Sequence, residues 1–440
     1  MQDNSNGQWG NLALLRLGAF GFGLTGFILA MDTVILPVLV LGLVREGAEN
    51  TFLGLALVRE GAKNTLLGLL GLSGLLVAAL VQPVVGWYSD RTRSPLGRRV
   101  PYMLWGCISV SLGLVGLAAA TNYLSLFVMW VLIQANASIG FGPFQALIRD
   151  LVPINRIGVA SSLKILADAS GGVVLIALTG ALMGRFTIDG ASYWLWISLG
   201  VVGASLIVTA AISSSIVVPR ERAVQAADQD IWHRLRSTTR LHPQLAWFLL
   251  SRYLMIAAIF VFPTYGLFFL DDVVQVSNPA QTLGIMIAAV GGAVVLSVYP
   301  AGWLSDRIGH KPVVLMGAIG AALGLAAMTQ AVGPNQVLFI ASLTGAAVGV
   351  VLTANWALAN QLGAAGREGQ HIGLVSLATI GGAATAKLMG PGVDLLNLAS
   401  PGAGYTALLL GAALLFLLGA LVLLPVKPHP ADSAQKRASG

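Results

Sequence analysis

Charge is what this chain has least of. Of its 440 residues only 10% are Asp, Glu, Lys or Arg, while 56% are hydrophobic and the mean hydropathy is +0.81. A soluble domain carries roughly 25% charged residues, so an ordinary globular protein is excluded. Cysteine is rarer still: Cys107 stands alone, which excludes an internal disulfide framework. The five histidines, His233, His242, His310, His371 and His429, fall in or near hydrophilic segments without ligand spacing. No nucleophile–base constellation and no phosphate-binding Gly loop accompanies them. An integral membrane enzyme is therefore a remote reading, and neither a metal nor a cofactor is expected. The net charge of +7 does not point to nucleic acid, because no stretch combines dense basic residues with aromatics. The first apolar run is too long for a signal-peptide core and lacks a small-residue cleavage site, so it is expected to stay as a span.

What fills the chain instead is a series of apolar runs of roughly 20 residues. Each is long enough to cross a hydrocarbon core about 30 Å thick at about 1.5 Å per residue. Backbone groups in lipid must be satisfied within their own segment, which makes the runs helices. Spans are expected near 12–40, 66–88, 100–120, 123–148, 158–183 and 193–218, then near 245–270, 282–304, 313–331, 337–360, 372–395 and 405–424. Residues 219–245 form the one sustained hydrophilic stretch and read as a cytoplasmic linker. The expected fold is an all-α membrane protein of 12 transmembrane helices in two pseudo-symmetric six-helix bundles, 1–218 and 246–440.

Two repeats mark the chain. LGLVREGAENTFLG at 41–54 returns at once as LALVREGAKNTLLG at 55–68, with differences at Gly42/Ala56, Glu49/Lys63 and Phe52/Leu66. This reads as a recent duplication that lengthens an external loop or a helix end, at little cost in free energy. The second repeat is long-range. GWYSDRTRSPLGRRVPYMLWG at 86–106 is echoed by GWLSDRIGHKPVVLMG at 302–317, the mark of a duplicated membrane protein. Positive residues cluster in both of these loops, after the fourth span at Arg149 and Arg156, in the linker and in the tail. The odd-numbered connections hold only Arg45, Arg59, Lys63 and Arg185. Positive residues stay inside, so both termini are expected in the cytoplasm of a multi-pass inner-membrane protein.

Twelve spans, a central linker and paired Gly-x-x-x-Asp-Arg…Gly-Arg/Lys loops resemble the major facilitator superfamily over nearly the whole chain. That resemblance implies parallel halves with a substrate cavity near the midplane. Two segments, LVQPVVGWYSDRTRSPLGRRVPY at 80–102 and GPFQALIRDLVPINRIGVASSLK at 142–164, are similar to the sucrose-type branch of glycoside/pentoside/hexuronide:cation symporters. Arg98 to Tyr102, RRVPY, is similar as well to the light-harvesting-complex assembly branch, which implies a non-transporting assembly or pigment- and lipid-handling role as the alternative. Sucrose-type symporters carry an acidic residue after Trp-x-Leu in the fourth span. Here Trp130-Val131-Leu132-Ile133-Gln134 offers no carboxyl, so coupling falls to Asp32 or Asp168, or is absent.

The repeated loops are expected to act as conformational latches through Gly86, Asp90, Arg91, Gly97 and Arg98 in the first copy and Gly302, Asp306, Arg307, Gly309 and Lys311 in the second. Asp90 suits an Arg guanidinium or a helix N-terminus as partner. Gly86 suits a close helix approach. Arginines that only set topology are the plainer alternative, and for Arg93 the preferred one.

Substrate and coupling groups are sought inside the spans, where ionisable residues are costly and usually face a cavity. Asp32, in LAMDTVILP, is a candidate for proton exchange, level with a helix-end carboxylate at the external interface. Lys164 and Asp168 stand at i and i+4 on one helix face; a structural pair suits Lys164, a cavity role Asp168. Lys387 is isolated among small residues. Gln134 and Asn136 in the fourth span, and Asn355, Trp356 and Asn360 in the tenth, place amides and an aromatic at corresponding depths; each amide alone serves equally as interhelical glue. Tyr265 and Arg252 in the seventh span share that ambiguity. The expected function is secondary transport of a small polar solute, sugar- or glycoside-like and coupled to proton or sodium, by a monomer embedded in membrane lipid.

Overall fold

The computed structural model describes residues 10–45, 62–153, 157–227, 243–362 and 368–426, and all regular structure among them is helical. The chain divides into two compact units, Met1–Arg236 and Ser237–Gly440. In the first, α1 (Asn11–Ala30), a π-helical turn (Met31–Ile35) and α2 (Leu36–Arg45) make one continuous run. It is followed by α3 (Lys63–Arg91), α4 (Val100–Ala118), α5 (Tyr123–Leu151), α6 (Ile157–Asp189) and α7 (Tyr193–Ala227). The second unit holds α8 (Pro243–Asp272), α9 (Pro279–Ile308), α10 (His310–Met328), α11 (Pro334–Leu362), α12 (Glu368–Lys387), α13 (Gly390–Ala399) and α14 (Ala403–Leu423). Eleven of these helical runs are long and apolar enough to cross a membrane. The helices are apolar on all sides, and large side chains such as Leu80, Leu112, Leu296 and Phe339 stand exposed, as lipid-facing surfaces require.

The two units are built to one plan. In each, the first span packs on the fifth and sixth, the fourth on the second and third, and the third on the sixth. Equivalent hydroxyl bonds tie the first span to the sixth: Ser213 Oγ donates to the Leu17 carbonyl at 3.1 Å, and Ser251 Oγ to the Gly419 carbonyl at 2.7 Å. In the first unit, Tyr123 Oη and Trp130 Nε1 donate to the Leu66 and Leu70 carbonyls at 2.8 and 2.9 Å, holding the fourth span to the second. Among the described glycines, the closest approach to a neighbouring backbone is at Gly171 of α6, where a Cβ would fall 2.0 Å from the Phe22 carbonyl oxygen of α1. Only glycine permits that packing.

Two spans differ from the sequence expectation, and the first span shows how its internal proline is accommodated. Pro37 does not end the first span: the π turn immediately before it, with Leu36 N–H bonded to the Met31 carbonyl, makes room for the proline ring, and the helix continues. Asp32 therefore lies within the run, on its π turn, rather than at its end. The sixth span does not stop at Val218. The polar sequence after Pro219 ends its apolar length but not its helix, which runs to Ala227; 228–242 of the expected linker lie outside the described residues, as do 46–61 of the tandem repeat.

The eleventh span, expected as one helix over 372–395, is broken between α12 and α13. Pro391 has no N–H to offer the Lys387 carbonyl four residues earlier. Tyr265 of α8, 1% exposed, supplies the missing donor: its hydroxyl lies 2.9 Å from the Lys387 carbonyl and 3.1 Å from that of Ala386. Tyr265→Phe is expected to lower stability by about 1–3 kcal/mol, the cost of a buried acceptor left unsatisfied. Adding Pro391→Ala, which restores a backbone donor, should recover part of the loss; thermal melting of the purified single and double variants measures both.

Candidate functional site

The two repeated loops start from the same backbone. Gly97 and Gly309 adopt φ of +95° and +96°, a region that L side chains avoid. Two residues later stands a basic residue that bonds to the end of its unit's sixth span, through its backbone in the first unit and through its side chain in the second. In the first unit Arg99 is that residue. Its backbone N–H donates to Glu221 Oε2 at 3.1 Å, and its guanidinium reaches Asp150 at 2.6 Å, Asp90 at 2.8 Å and Ser89 Oγ at 3.2 Å. Arg98 adds a longer bond to Asp150 at 3.3 Å. Arg99 is only 5% exposed, so it is the hub of the cluster and Arg98 its rim.

The second loop is built differently. Lys311 Nζ donates to the carbonyls of Leu424 and Val426, at 2.6 and 2.9 Å, where the negative end of α14 favours a cation. Ser305 Oγ pairs with His310 Nδ1 at 2.5 Å. Asp306 is exposed and takes part in no ion pair among the described residues. Arg91 and Arg307 each stack over the tryptophan four residues earlier, Trp87 at 3.7 Å and Trp303 at 3.9 Å. Among the described residues Gly86 shows no close helix approach: a Cβ there or at Gly302 would meet nothing within 4 Å.

Inside the spans, the first unit places an ion pair on its fifth span, and the second gathers polar groups on its first, fourth and fifth. In the first unit Lys164 Nζ meets Asp168 Oδ2 at 2.7 Å, with the ammonium 5.1 Å from the centre of the Phe144 ring. Asp168 Oδ1 is buried and has no hydrogen-bond partner among the described residues. It occupies the space that Gly21 leaves on α1, where a Cβ would fall 1.9 Å from it. In the second unit Arg252 of α8 is 2% exposed. Its Nε donates to Thr379 Oγ1 of α12 at 3.1 Å, its Nη1 donates to Asn355 Oδ1 of α11, and its Cζ lies 4.6 Å from the Trp356 ring centre. Asn355 Nδ2 is buried without a partner among the described residues.

Residues 16–424 match the family described as MFS/sugar transport protein. The chain belongs to the major facilitator superfamily. Among its relatives is multidrug resistance protein MdtG of Klebsiella pneumoniae (strain 342), 26% identical over 353 residues that cover 78% of this chain and 77% of the relative. MdtG of Escherichia coli (strain K12 / DH10B) is 27% identical over 350 residues, covering 78% of each. Among solved structures, nucleoside transporter NupG matches with a TM-score of 0.68 at 14% identity, covering 94% of this chain and 98% of that one. A bacterial homologue of iron transporter ferroportin in an inward-facing state matches with a TM-score of 0.67 at 17% identity, covering 94% and 98%. At such identities the structural likeness is one of fold. This facilitator-family chain is a multi-pass membrane transporter.

Of the residues singled out in the sequence, the fold brings Asn355 and Trp356 together around Arg252. It leaves Gln134 against α3, where a Cβ on Gly74 would lie 2.5 Å from its Nε2, and turns the Asn136 amide back onto its own helix at the Leu132 carbonyl, 2.8 Å away. The Tyr265 hydroxyl is taken up by the α12–α13 break, and Lys387, 5% exposed, stands at that same break. The side chain of Asn360 lies outside the described ones. Glu221, Thr379 and Phe144 carried no distinguishing sequence signal, and Arg99 lay in the repeated loop with nothing to separate it from Arg98. Arg252 did, as a lone arginine in an apolar run. Gly309→Ala is expected to cost about 1–3 kcal/mol from backbone strain alone. Gly97→Ala should cost more, because its Cβ would also fall 2.1 Å from Glu221 Oε2; paired melting curves check the order.

Proposed function

We propose that this transporter is a secondary carrier of a small polar solute, sugar- or glycoside-like, that works by alternating access and couples to a proton. What supports the reading is the placement of ionisable side chains deep within spans of both units, Lys164 with Asp168 on the fifth span of one and Arg252 on the first span of the other. Such groups are expensive in a bilayer and are retained where they face substrate or ions. A factor that only assembled other membrane proteins would have no use for them. The relatives' names speak of multidrug and nucleoside transport and the family description of sugar; the polar groups in this chain favour a hydrophilic solute. Asp168 suits the proton. One of its oxygens is held by Lys164 and the other is buried and unpartnered, so protonation would loosen the pair and tie ion binding to movement of α6. A single carboxylate offers too few oxygens for sodium, which like other hard cations takes several. The Arg99–Asp90–Asp150 cluster suits a cytoplasmic latch, with both termini on the cytoplasmic side of the inner membrane, where the positive residues lie.

Uptake into proteoliposomes, measured against a panel of glycosides with and without an inward proton gradient, tests the reading. Accumulation of at least one polar solute above its equilibrium level, dependent on the gradient, is expected. Asp168→Asn should abolish accumulation while leaving solute exchange, and Asp32→Asn should leave accumulation within about twofold. Accumulation that persists in Asp168→Asn and fails in Asp32→Asn would move the coupling site to the π turn.

A further inference from the structure

We infer that Arg252, Asn355 and Thr379 form a carboxylate-recognition site, so that the solute this transporter moves carries a carboxylate group. The inference deepens the transport reading above and rests on it. A guanidinium 2% exposed inside a membrane helix needs compensation, and no Asp or Glu supplies it among the described residues. If Arg252 were only a cross-link between α8, α11 and α12, its neighbours would exhaust its hydrogen bonds. They do not. Its Nε and Nη1 are taken by Thr379 and Asn355, whereas Nη2 makes no hydrogen bond among the described residues.

The polarity of what is left decides the ligand class. Asn355 spends its oxygen on Arg252 and keeps a buried, unpartnered Nδ2 donor. Thr379 spends its oxygen on Arg252 Nε and its proton on the Val375 carbonyl at 2.9 Å. The cluster's unspent hydrogens therefore dominate what it offers, from the guanidinium fork and from an amide. An ionised carboxylate is an acceptor only and matches the planar fork. A sugar hydroxyl or a neutral amide would leave the charge of Arg252 without a counter-ion. One uncompensated positive charge calls for a monoanion, where a phosphate monoester near pH 7 would bring nearly two negative charges. Trp356, 44% exposed and stacked beside the guanidinium at 4.6 Å, presents a ring against which the body of the solute can lie.

The test uses the purified full-length protein and three probes of one shape: benzoate, benzamide and phenyl phosphate. Thermal stabilisation as a function of probe concentration gives each affinity. Benzoate is expected to stabilise the wild type and benzamide not to. Arg252→Gln should weaken benzoate binding about 10- to 100-fold, the range for a hydrogen bond to a charged group. Asn355→Asp guards against simple misfolding, because it gives Arg252 an internal counter-ion: it should melt at or above the wild-type temperature yet lose benzoate binding by at least tenfold. Equal binding of benzamide, tighter binding of phenyl phosphate, or wild-type benzoate affinity in Asn355→Asp overturns the proposal. Because binding is read on the purified protein, failure here leaves the transport reading standing. A protein that binds benzoate but moves nothing in proteoliposomes contradicts that reading alone.

Discussion

A charge inside a hydrocarbon layer must find compensation or be expelled, and this constraint shapes the molecule more than any single contact. With so few charged residues, those whose side chains are described can be followed to their places. Most lie at the helix ends and in the loops between them. Those that lie deeper are either paired, as Lys164 is with Asp168 at 2.7 Å, or held by neutral donors and acceptors, as Arg252 is by Asn355 and Thr379. The difference between these two solutions gives the units different chemistry. The first holds a neutral ion pair that a proton can break. The second holds a net positive charge that an anion can complete.

Duplication supplied the frame and divergence supplied the chemistry. The two units share their set of helix pairings, their positive-φ glycines and their arginine–tryptophan stacks. What changed is what the shared backbone presents. Two residues beyond the glycine, one unit carries an arginine that gathers carboxylates from two neighbouring spans and bonds through its backbone to a third, while the other carries a lysine that caps the end of a helix. The first arrangement is ionic and would respond to a competing charge. The second bonds the lysine to backbone carbonyls and ties the loop to its unit more passively.

Much of the fold was legible in the sequence because hydrophobic run length and helix geometry are enough to place membrane spans. The internal repeat was legible because the loop's glycine, aspartate and basic residues recur in order. Which of two adjacent arginines turns inward was not, since Arg98 and Arg99 differ only in the direction that a positive-φ glycine sends them. The role of Glu221 was hidden for a related reason: a polar residue beyond the apolar length reads as linker until the helix is seen to continue. Pro37 and Pro391 show the limit most plainly. One proline is absorbed by a π turn and the other breaks its span, and the outcome depends on a tyrosine 126 positions away from Pro391 (391 minus 265) that stands ready to replace the lost donor. Arg252 was visible as an anomaly, but its meaning needed Asn355 and Thr379 beside it.

The central claim is that the deep polar groups of the second unit meet water and solute rather than lipid. With Cys107 as the only native thiol, and a buried one, Trp356→Cys in a Cys107→Ser background isolates a single reporter beside Arg252. Its reaction with a membrane-impermeant, charged maleimide in intact proteoliposomes tests the claim directly. The account predicts labelling within minutes that slows when a transported solute is present. Labelling by lipid-soluble reagents alone, with none by the charged one from either side, would contradict it.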